Sequence, residues 1–452
     1  MPSSKWNTLL SRLTGDYGMM LVLLLLCAYY SFATWGRQQS EGAAAGADLA
    51  NDIRARFGAP RRVLIVAGSH AKDVAFADTL RDQLAPLGVN VTVVKGGPAD
   101  ALRALQEIAK KGERLDLIAR SAATASWQLI ETRAEISPSL ANVQVVSPSA
   151  YNWPTFLLVR NLVNIAQQIA VIAILAVGMT MVIIAGGIDL SVGSLVALSA
   201  MVATLLIRDQ AGGVDAGPAA MVLCCLGGIA VCALVGGFSG SMVTLYGVPP
   251  FIVTLSMMLV ARGVCFQLTG GQQVGQVPDD FVWLGRGADL FGIPNQVTLM
   301  VLLYVLAHVL MTRTTLGRYL YAVGGNPEAA RLSGVPVRRV LLFAYTACGA
   351  LAGVGGVMQA SQLKGGLPTY GDMYELHVIA AVVVGGTSLQ GGQGTILGTL
   401  IGAFIIAVIH NGLNLTGVGR HAQQIVFGSI ILAAVLLDRV KKRGWSLRPI
   451  PG

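Results

Sequence analysis

The sequence predicts an all-α polytopic membrane protein of about ten transmembrane helices, with a small α/β extracytoplasmic domain inserted after the first helix. Two observations support this prediction. Of 452 residues, 54% are hydrophobic and only 12% are charged, whereas about 25% charge is usual in a soluble domain. Long stretches carry no charge, while residues 37–150 carry both signs. Membrane lipid is therefore the natural solvent of the chain, apart from one water-facing segment.

The charge-free stretches give the number of spans. A membrane-spanning helix needs about 20 apolar residues, and a charge inside it is costly. Six stretches hold one helix each: 17–36, 161–188, 190–207, 290–312, 340–363 and 421–437. Two longer stretches hold two helices each, 216–261 with a break at 247–250 and 376–419 with a break at the glycine pairs of 385–392. The total is ten spans.

Basic residues give the orientation, because lysine and arginine collect in cytoplasmic loops. They precede the first span, separate the sixth from the seventh and follow the tenth: Lys5, Arg12, Arg313, Arg318, Arg331, Arg338, Arg339, Arg439, Lys441, Lys442, Arg443 and Arg448. The opposite loops carry Asp209, Asp215, Asp279, Asp280, Asp289, Asp372 and Glu375. We predict a multi-pass membrane protein with both termini cytoplasmic. The basic loops also account for the net charge of +9, so we expect no nucleic-acid partner.

Four regions follow from this topology. Residues 1–36 are the cytoplasmic N-terminus and the first helix, 37–150 the extracytoplasmic domain with a linker, 151–440 the membrane domain, and 441–452 a cytoplasmic tail. The first apolar run is long for a signal peptide, and Ala43–Ala45 is the nearest candidate cleavage site. We therefore expect the first helix to be retained.

Strand and helix patterns alternate within residues 37–150. The predicted strands are 62–67, 89–94, 115–118 and 143–146, the predicted helices are 73–84 and 98–110, and the Ala- and Gly-rich residues 37–60 are predicted to be a linker. This alternation predicts a small parallel sheet. Ligands of such sheets bind at the carboxyl ends of strands, where Ser69, His70, Gly96 and Gly97 lie. These four form a candidate ligand site, or they are only turn residues.

Three segments are too specific in sequence to be generic membrane helix. The first, at 178–194, contains GGIDLSVGS and offers Gly186, Gly187, Asp189, Ser191 and Gly193 as a helix break or pore motif. Glycines around an acid, between two apolar spans, favour a helix break with close backbone approach. Asp189 followed by Ser191 is also suited to cap the next helix.

The second segment lies in the basic loop between the sixth and seventh spans. It reads GGNPEAARLSG, with Gly325, Asn326, Pro327, Glu328, Ala329, Ala330, Arg331 and Gly334 as its candidate functional residues. Asn326 suits a helix cap, Pro327 the first helical position, and Glu328 the positive end of the helix dipole. We predict a short amphipathic helix that ends at Gly334, with a lipid-surface helix as the alternative.

The third segment reads GGTSLQGGQGTILGTLIGA, and its candidate residues are Gly385, Gly386, Gly391 and Gly392. Gly394, Gly398 and Gly402 follow at four-residue spacing, which favours tight helix packing. The pattern GGxxLxxG occurs at both Gly186–Gly193 and Gly385–Gly392. This echo indicates an internal repeat.

Together these three segments resemble the membrane subunits of the ribose, xylose, arabinose and galactose importers, the monosaccharide branch of bacterial ABC transporters. The resemblance covers about residues 155–439. It implies a vitamin-B12-importer-like fold, a homodimeric or paired permease, a cytoplasmic ABC ATPase and an extracytoplasmic sugar-binding protein that delivers the substrate. It also implies that Gly325–Gly334 is the coupling helix that docks on the ATPase.

The chain departs from the family in two places. Members known to us have a very short loop after the first helix, so the domain at 37–150 puts the docking of a separate binding protein in question. Members often read YELDAIAA where this chain reads YELHVIAA. His377 therefore replaces an acid, and we expect it to form a structural hydrogen bond rather than a pH switch.

We expect no cofactor and no enzyme activity in this chain. It lacks the GxxxxGK(S/T) loop that cradles ATP phosphates, so ATP and Mg²⁺ would bind on the partner ATPase. None of the six cysteines has a partner at metal-ligand spacing. The alternative function is an ion-coupled secondary transporter of a small polar solute. Such proteins place several acids or histidines at mid-membrane. Here only Asp189, Arg262, His308, His377 and His410 lie in or beside the predicted spans, most of them near predicted helix ends.

Overall fold

A computed structural model describes residues 18–58 and 60–443 of the chain. The chain divides into two compact units, one of residues 35–155 and one that combines the residues before and after them. We call the first the inserted domain and the second the membrane unit. The predicted basic residues Lys5, Arg12 and Arg448, and most of the predicted cytoplasmic tail, lie outside the described residues.

The inserted domain is built on a parallel sheet. Its strands are β1 (Trp35–Gln39), β2 (Arg62–Ala67), β3 (Asn90–Lys95), β4 (Leu117–Arg120), β5 (Gln144–Val146) and β6 (Ala150–Pro154). Four of them form one sheet in the order β3-β2-β4-β5, with every neighbouring pair parallel. Its helices are Gly42–Phe57, Ala71–Leu84, Pro98–Lys110, Gln128–Glu131 and Arg133–Ile136. The predicted strand at 62–67 has these bounds, and the other three are displaced by one or two residues.

The central strand β2 explains why this segment folds as three layers. Its residues from Val63 to Ala67 are all buried. Val63 and Ile65 pack in a cluster with helices Gly42–Phe57 and Ala71–Leu84, whereas Leu64 and Val66 pack in a second cluster with helix Pro98–Lys110. A strand covered on both faces has a continuous apolar sequence instead of an alternating one.

The prediction of a linker over 37–60 is wrong. Strand β1 occupies 35–39 and helix Gly42–Phe57 follows it. Alanine is the strongest helix former, and Ala45, Leu49 and Ile53 form a buried stripe on this helix at helical spacing. Gly46 brings the helix close to Ala71–Leu84, because a Cβ atom on Gly46 would lie 2.6 Å from the carbonyl oxygen of Phe76.

We expect Gly46→Val to destabilise the inserted domain by about 2 kcal/mol, because overpacking a close contact costs about 1–3 kcal/mol. Hydrogen exchange in the full-length protein would show about 30-fold lower protection of the β2 amides at that cost. Ala44→Val is the matched control, because Ala44 lies exposed on the same helix. Equal protection in both variants would contradict the close packing at Gly46.

The membrane unit consists of helices. Those at the predicted spans are Gly18–Ala33, Val159–Ile184, Val192–Gln210, Pro218–Tyr246, Pro250–Thr269, Asn295–Arg313, Val337–Leu363, Tyr374–Val384, Ile396–Leu415 and Arg420–Arg443, and those between the spans are Trp283–Arg286, Thr315–Gly325 and Pro327–Leu332. Each of the ten predicted spans therefore contains a helix. Within the described residues, seven of these helices are long and apolar enough to cross a membrane, while Gly18–Ala33 and Tyr374–Val384 are apolar but shorter. The chain is a multi-pass membrane protein.

Glycine allows two of the long helices to pack closely. A Cβ atom on Gly236 would overlap the carbonyl oxygen of Tyr345, and one on Gly349 would overlap that of Cys232. A Cβ atom on Gly353 would lie 2.8 Å from the Cα atom of Ile229. Helices Pro218–Tyr246 and Val337–Leu363 therefore pack backbone to backbone, as small residues permit in membranes. This close approach explains why Gly236, Gly349 and Gly353 carry no side chain.

Helix Val159–Ile184 lies at the centre of the membrane unit. In its most apolar window 83% of the residues are buried, against 22% in helix Pro218–Tyr246. Near its start, the side-chain amides of Asn161 and Asn411 donate to each other's oxygens at 3.0 and 2.8 Å. Both residues are buried, so these reciprocal hydrogen bonds satisfy polar groups that have no access to water.

Candidate functional site

Two helices of the membrane unit end with the same backbone geometry. At the end of Val159–Ile184, the amide of Gly187 donates to the Val182 carbonyl at 2.9 Å and that of Gly186 to Ile183 at 2.9 Å. At the end of Tyr374–Val384, Thr387 donates to Val382 at 3.1 Å and Gly386 to Val383 at 2.9 Å. Both ends are Schellman motifs, which need a left-handed residue. Gly186 and Gly386 both supply it, with φ of +87°.

This geometry corrects the register of the sequence echo. The GGxxLxxG pattern pairs Gly186 with Gly385, whereas the hydrogen bonds pair Gly186 with Gly386. Gly385 instead packs closely against helix Ile396–Leu415, because a Cβ atom on Gly398 of that helix would overlap the Gly385 carbonyl oxygen. The two breaks are therefore equivalent as helix ends, but one residue away from the match that the sequence indicates.

Asp189 and Ser191 form a buried turn in the first break. Asp189 is fully buried, so it does not line an open passage within this chain. Its Oδ1 atom accepts hydrogen bonds from the amide of Ser191 at 2.9 Å and from the Ser191 hydroxyl at 2.6 Å. The predicted capping is wrong in detail, because the Ser191 hydroxyl donates to Asp189 instead of accepting from the helix Val192–Gln210. Gly193 lies against the carbonyl of Gly371.

The predicted short amphipathic helix is present as Pro327–Leu332. The Asn326 side chain accepts from the amide of Ala329 at 3.0 Å, and Pro327 occupies the first turn, so the predicted cap is confirmed. Glu328 pairs with Arg331 at 2.9 Å, and both are exposed. Gly334 ends the helix by donating to the Arg331 carbonyl at 3.0 Å.

The outer surface of this short helix is open to solvent in the isolated chain. Ala330 is its one buried residue. Leu332, at the end of the helix, is 80% exposed. The Leu332 side chain is therefore free to contact another molecule. We call residues 327–334 the loop helix.

All three glycine-rich segments meet at one point. The amide of Gly392 donates to the carbonyl of Ile184 at 2.8 Å, which joins the third segment to the first. A Cβ atom on Gly324 would overlap that same carbonyl and lie 2.7 Å from the nitrogen of Gly392. A Cβ atom on Gly391 would lie 2.8 Å from the Gly324 oxygen and 3.1 Å from the Gly186 Cα atom. We call these four residues, Gly186, Gly324, Gly391 and Gly392, the glycine junction.

The glycine junction connects the loop helix to both helix breaks. Gly324 and Gly325 are the last residues of the helix that immediately precedes the loop helix. Tyr321, one turn earlier, donates its hydroxyl to the Gly394 carbonyl at 2.8 Å. Since the contacts are between backbones, a displacement of the loop helix cannot be absorbed by side-chain rotation at this point. Gly324 and Tyr321 were missed as site residues, although the double glycine before Asn326 is a visible signal.

His377 packs instead of hydrogen bonding at its Nδ1 atom. This atom is buried without a hydrogen-bond partner among the described residues. The imidazole ring of His377 lies edge-on to the Phe427 ring, with 5.4 Å between ring centroids. The His410 ring stacks on the same Phe427 ring, with 6.0 Å between centroids. The prediction of a structural hydrogen bond is therefore wrong for the Nδ1 atom of His377.

The candidate ligand site in the inserted domain is only partly assembled. Ser69 and His70 are exposed after β2, as predicted. Gly96 and Gly97 follow β3, where Asp100 accepts the Gly97 amide at 2.9 Å and fixes the start of helix Pro98–Lys110. Their structural role is therefore a helix start.

The strand order places the crevice of this sheet at the ends of β2 and β4, where Ser69 and His70 also lie, and away from Gly96 and Gly97. The order β3-β2-β4-β5 reverses direction between β2 and β4, and ligands of parallel sheets bind at that switch point. The residues there are Asp73, which is buried beside Gly68, and Ser121, whose hydroxyl is buried without a partner in the described residues. Asp78 does not belong to this crevice, because it is engaged with Lys95, whose ammonium group donates to the Asp78 carboxylate at 2.7 Å. This hydrogen bond holds the pKa of the Asp78 carboxyl below its usual range.

A cavity of about 500 Å³ lies within the membrane unit, between helices Pro218–Tyr246 and Val337–Leu363 and the segment 280–284. Its lining is apolar except for Asp280 and Ser361. A hydroxyl-rich solute would lose its hydrogen bonds to water there without replacement. We therefore do not assign a sugar to it. In the described parts of both units, no group of His, Cys, Asp and Glu side chains is arranged to hold a metal ion.

The membrane unit matches a known family. Residues 161–435 match the branched-chain amino acid transport system / permease component family. The ribose import permease protein RbsC of Escherichia coli (strain K12) is 43% identical over 323 residues, which cover 71% of this chain and 96% of that protein.

Two further relatives come from the same strain. The D-allose transport system permease protein AlsC is 37% identical over 285 residues, covering 63% of this chain and 85% of AlsC. The xylose transport system permease protein XylH is 36% identical over 356 residues, covering 65% of this chain and 89% of XylH. No solved structure matches the chain. The inserted domain lies outside the family match.

Proposed function

This chain belongs to the branched-chain amino acid transport system / permease component family, and from that membership we propose that it is the permease subunit of an ATP-binding-cassette importer for a monosaccharide. The relatives are named as permeases for ribose, allose and xylose. The proposed cargo is therefore a pentose, a hexose or a related polyol, carried into the cytoplasm. These relatives are transport proteins and not enzymes.

The observation that carries the proposal is the connection between the loop helix and the two helix breaks. The loop helix presents Glu328, Arg331 and Leu332 to solvent, which suits a docking surface for a separate cytoplasmic ATPase. The glycine junction lies directly behind it and joins both breaks. Movement of the ATPase on ATP binding would therefore reach the breaks through backbone contacts. ATP and Mg²⁺ bind on that partner and not on this chain.

The family suggests how the rest is arranged. We propose ten spans in a vitamin-B12-importer-like fold, in the bacterial inner membrane, with both termini cytoplasmic. The inserted domain is then extracytoplasmic, since it follows the first span. The permease acts as a homodimer or with a second permease, and an extracytoplasmic sugar-binding protein delivers the substrate.

The alternative of an ion-coupled secondary transporter of a small polar solute has less support. Transporters of that class use chains of acids and histidines at mid-membrane. In the described part of the membrane unit, Asp189 is the one acidic residue that is fully buried. Its carboxylate accepts two hydrogen bonds from Ser191 and one from the Cys348 side chain, so its described partners include no other acid and no histidine.

We expect uptake of a labelled monosaccharide only when this chain is expressed with its ATPase, and no ATP hydrolysis by the purified chain alone. The physical reason is that no phosphate-binding loop is present in the sequence. Ribose, allose and xylose are the first sugars to assay. An ATPase whose phosphate-binding lysine is replaced by alanine is the matched control. Uptake that persists with this inactive ATPase would contradict the importer and favour the secondary transporter.

A further inference from the structure

The inserted domain carries a second, separate pair of strands. β1 (Trp35–Gln39) and β6 (Ala150–Pro154) pair only with each other, antiparallel, with Gly36 opposite Trp153 and Gln38 opposite Tyr151. We call these two strands the aromatic ribbon. Trp35 is 60% exposed, and Tyr151 and Trp153 are each 44% exposed. Among the described residues of the inserted domain, the only other exposed large aromatic side chain is Phe57, which is less open to solvent than these three.

Two of these exposed aromatic side chains, Tyr151 and Trp153, lie on one face of the ribbon, and Trp35 lies on the other, because it is adjacent to Gly36, the residue paired with Trp153. Tyr151 and Trp153 are two residues apart, so they point to the same side of the ribbon. Gly36 lies opposite Trp153 and has no side chain to cover it. A two-stranded ribbon is marginally stable in water unless its face packs on something. The aromatic ribbon therefore needs a partner surface that the parallel sheet does not provide.

Chain connectivity places the ribbon next to the membrane. β1 begins two residues after helix Gly18–Ala33 ends, and β6 ends five residues before helix Val159–Ile184 begins. The last turns of the first of these helices also expose Tyr29 and Phe32. Tryptophan and tyrosine are enriched where membrane proteins cross the boundary between lipid and water, because their rings are apolar with one polar group.

The charges of the ribbon agree with a lipid surface. Its two strands, WGRQQ and AYNWP, contain no acidic residue and one base, Arg37. Arg37 pairs with Asn152 on the opposite face, so the face formed by Gly36, Gln38, Tyr151 and Trp153 carries no charged side chain, which favours its contact with lipid. We propose that the aromatic ribbon inserts Tyr151 and Trp153 into the headgroup region and so anchors the inserted domain to the membrane surface.

The test measures how close Trp153 lies to lipid. The full-length protein is reconstituted in vesicles of phosphatidylcholine and phosphatidylglycerol whose acyl chains are brominated either near the headgroup or near the methyl end. Trp153 is kept as the single tryptophan, with the other five replaced by phenylalanine. We expect lipid brominated near the headgroup to lower its fluorescence about twofold, and lipid brominated near the methyl end to lower it less, because interfacial rings lie at headgroup level.

Trp127 as the single tryptophan is the matched control. It lies in the same domain but packs against the core on the parallel sheet, so bromination should leave its fluorescence unchanged. Should the single-tryptophan proteins fold poorly, Trp153→Phe and Trp127→Phe in the otherwise native chain answer the same question. The first should reduce the total quenching and the second should not. Equal quenching of Trp153 and Trp127 would overturn the proposal, and the ribbon face would then be assigned to a protein partner.

Discussion

Replacing Gly324 with alanine is expected to abolish sugar uptake. The added Cβ atom would overlap the carbonyl oxygen of Ile184 and lie 2.7 Å from the nitrogen of Gly392. Backbone atoms on two other segments cannot move aside as a flexible side chain can, so we expect a cost above about 3 kcal/mol. The glycine junction would separate, and the loop helix would lose its connection to both helix breaks. Uptake in cells and thermal unfolding of the purified protein measure the two parts of this effect.

Gly325→Ala is the control for this variant, because it adds the same methyl group one residue later. Nothing lies within 4 Å of a Cβ atom at Gly325. We expect its uptake and unfolding temperature to equal those of the native protein. If Gly324→Ala transported normally, the glycine junction would not be needed for transport. If both variants failed equally, the close contact at Gly324 would not be the cause.

Leu332→Asn should remove the response of the ATPase to this permease. Leu332 is 80% exposed, so the change costs the fold little. Truncating a central apolar contact in a protein interface costs about 2 kcal/mol or more, which is about 30-fold in affinity. Binding of the purified ATPase to the permease in detergent measures this directly, and uptake should fall with it. The amount of permease in the membrane should not change.

Val214→Asn is the matched control for the loop-helix variant. Val214 is 61% exposed and lies in the short turn between helices Val192–Gln210 and Pro218–Tyr246, on the proposed extracytoplasmic side. The substitution makes a similar surface change away from the ATPase, so binding and uptake should persist. Native ATPase affinity in Leu332→Asn would show that the loop helix does not dock there, whatever sugar the protein carries.

Local signals predicted many of the elements. Helix Pro98–Lys110 has the predicted bounds, because Pro98 fits its first turn and the Asp100 carboxylate accepts the amide of Gly97, the residue at the helix N-cap. The loop helix was predictable for the same reason, since Asn326 and Pro327 specify its start within a few residues. Helix Gly42–Phe57 was missed because its small residues look flexible in composition, while their burial depends on a neighbouring helix.

The site was harder to predict, because its contacts join residues far apart in sequence. Gly324 touches the carbonyl of Ile184 and the nitrogen of Gly392, and none of these atoms belongs to a side chain with a recognisable pattern. The repeated GGxxLxxG pattern aligned the two helix breaks one residue out of register for a similar reason. Two adjacent glycines look alike in sequence, and only the backbone shows that Gly386, with φ of +87°, is the counterpart of Gly186.

The reciprocal hydrogen bonds between Asn161 and Asn411 have a consequence for biosynthesis. The two residues are 250 positions apart, and synthesis proceeds at about 5–20 residues per second, so the ribosome needs about 12–50 s to make the second after the first. During that interval the Asn161 Nδ2 group can still donate to the Phe156 carbonyl, its other native acceptor. The Asn161 Oδ1 atom, in contrast, lacks the donor that Asn411 supplies, and an unsatisfied polar group is costly in a non-aqueous environment. Helix Val159–Ile184 therefore enters the bilayer before the acceptor near its start has its native hydrogen bond.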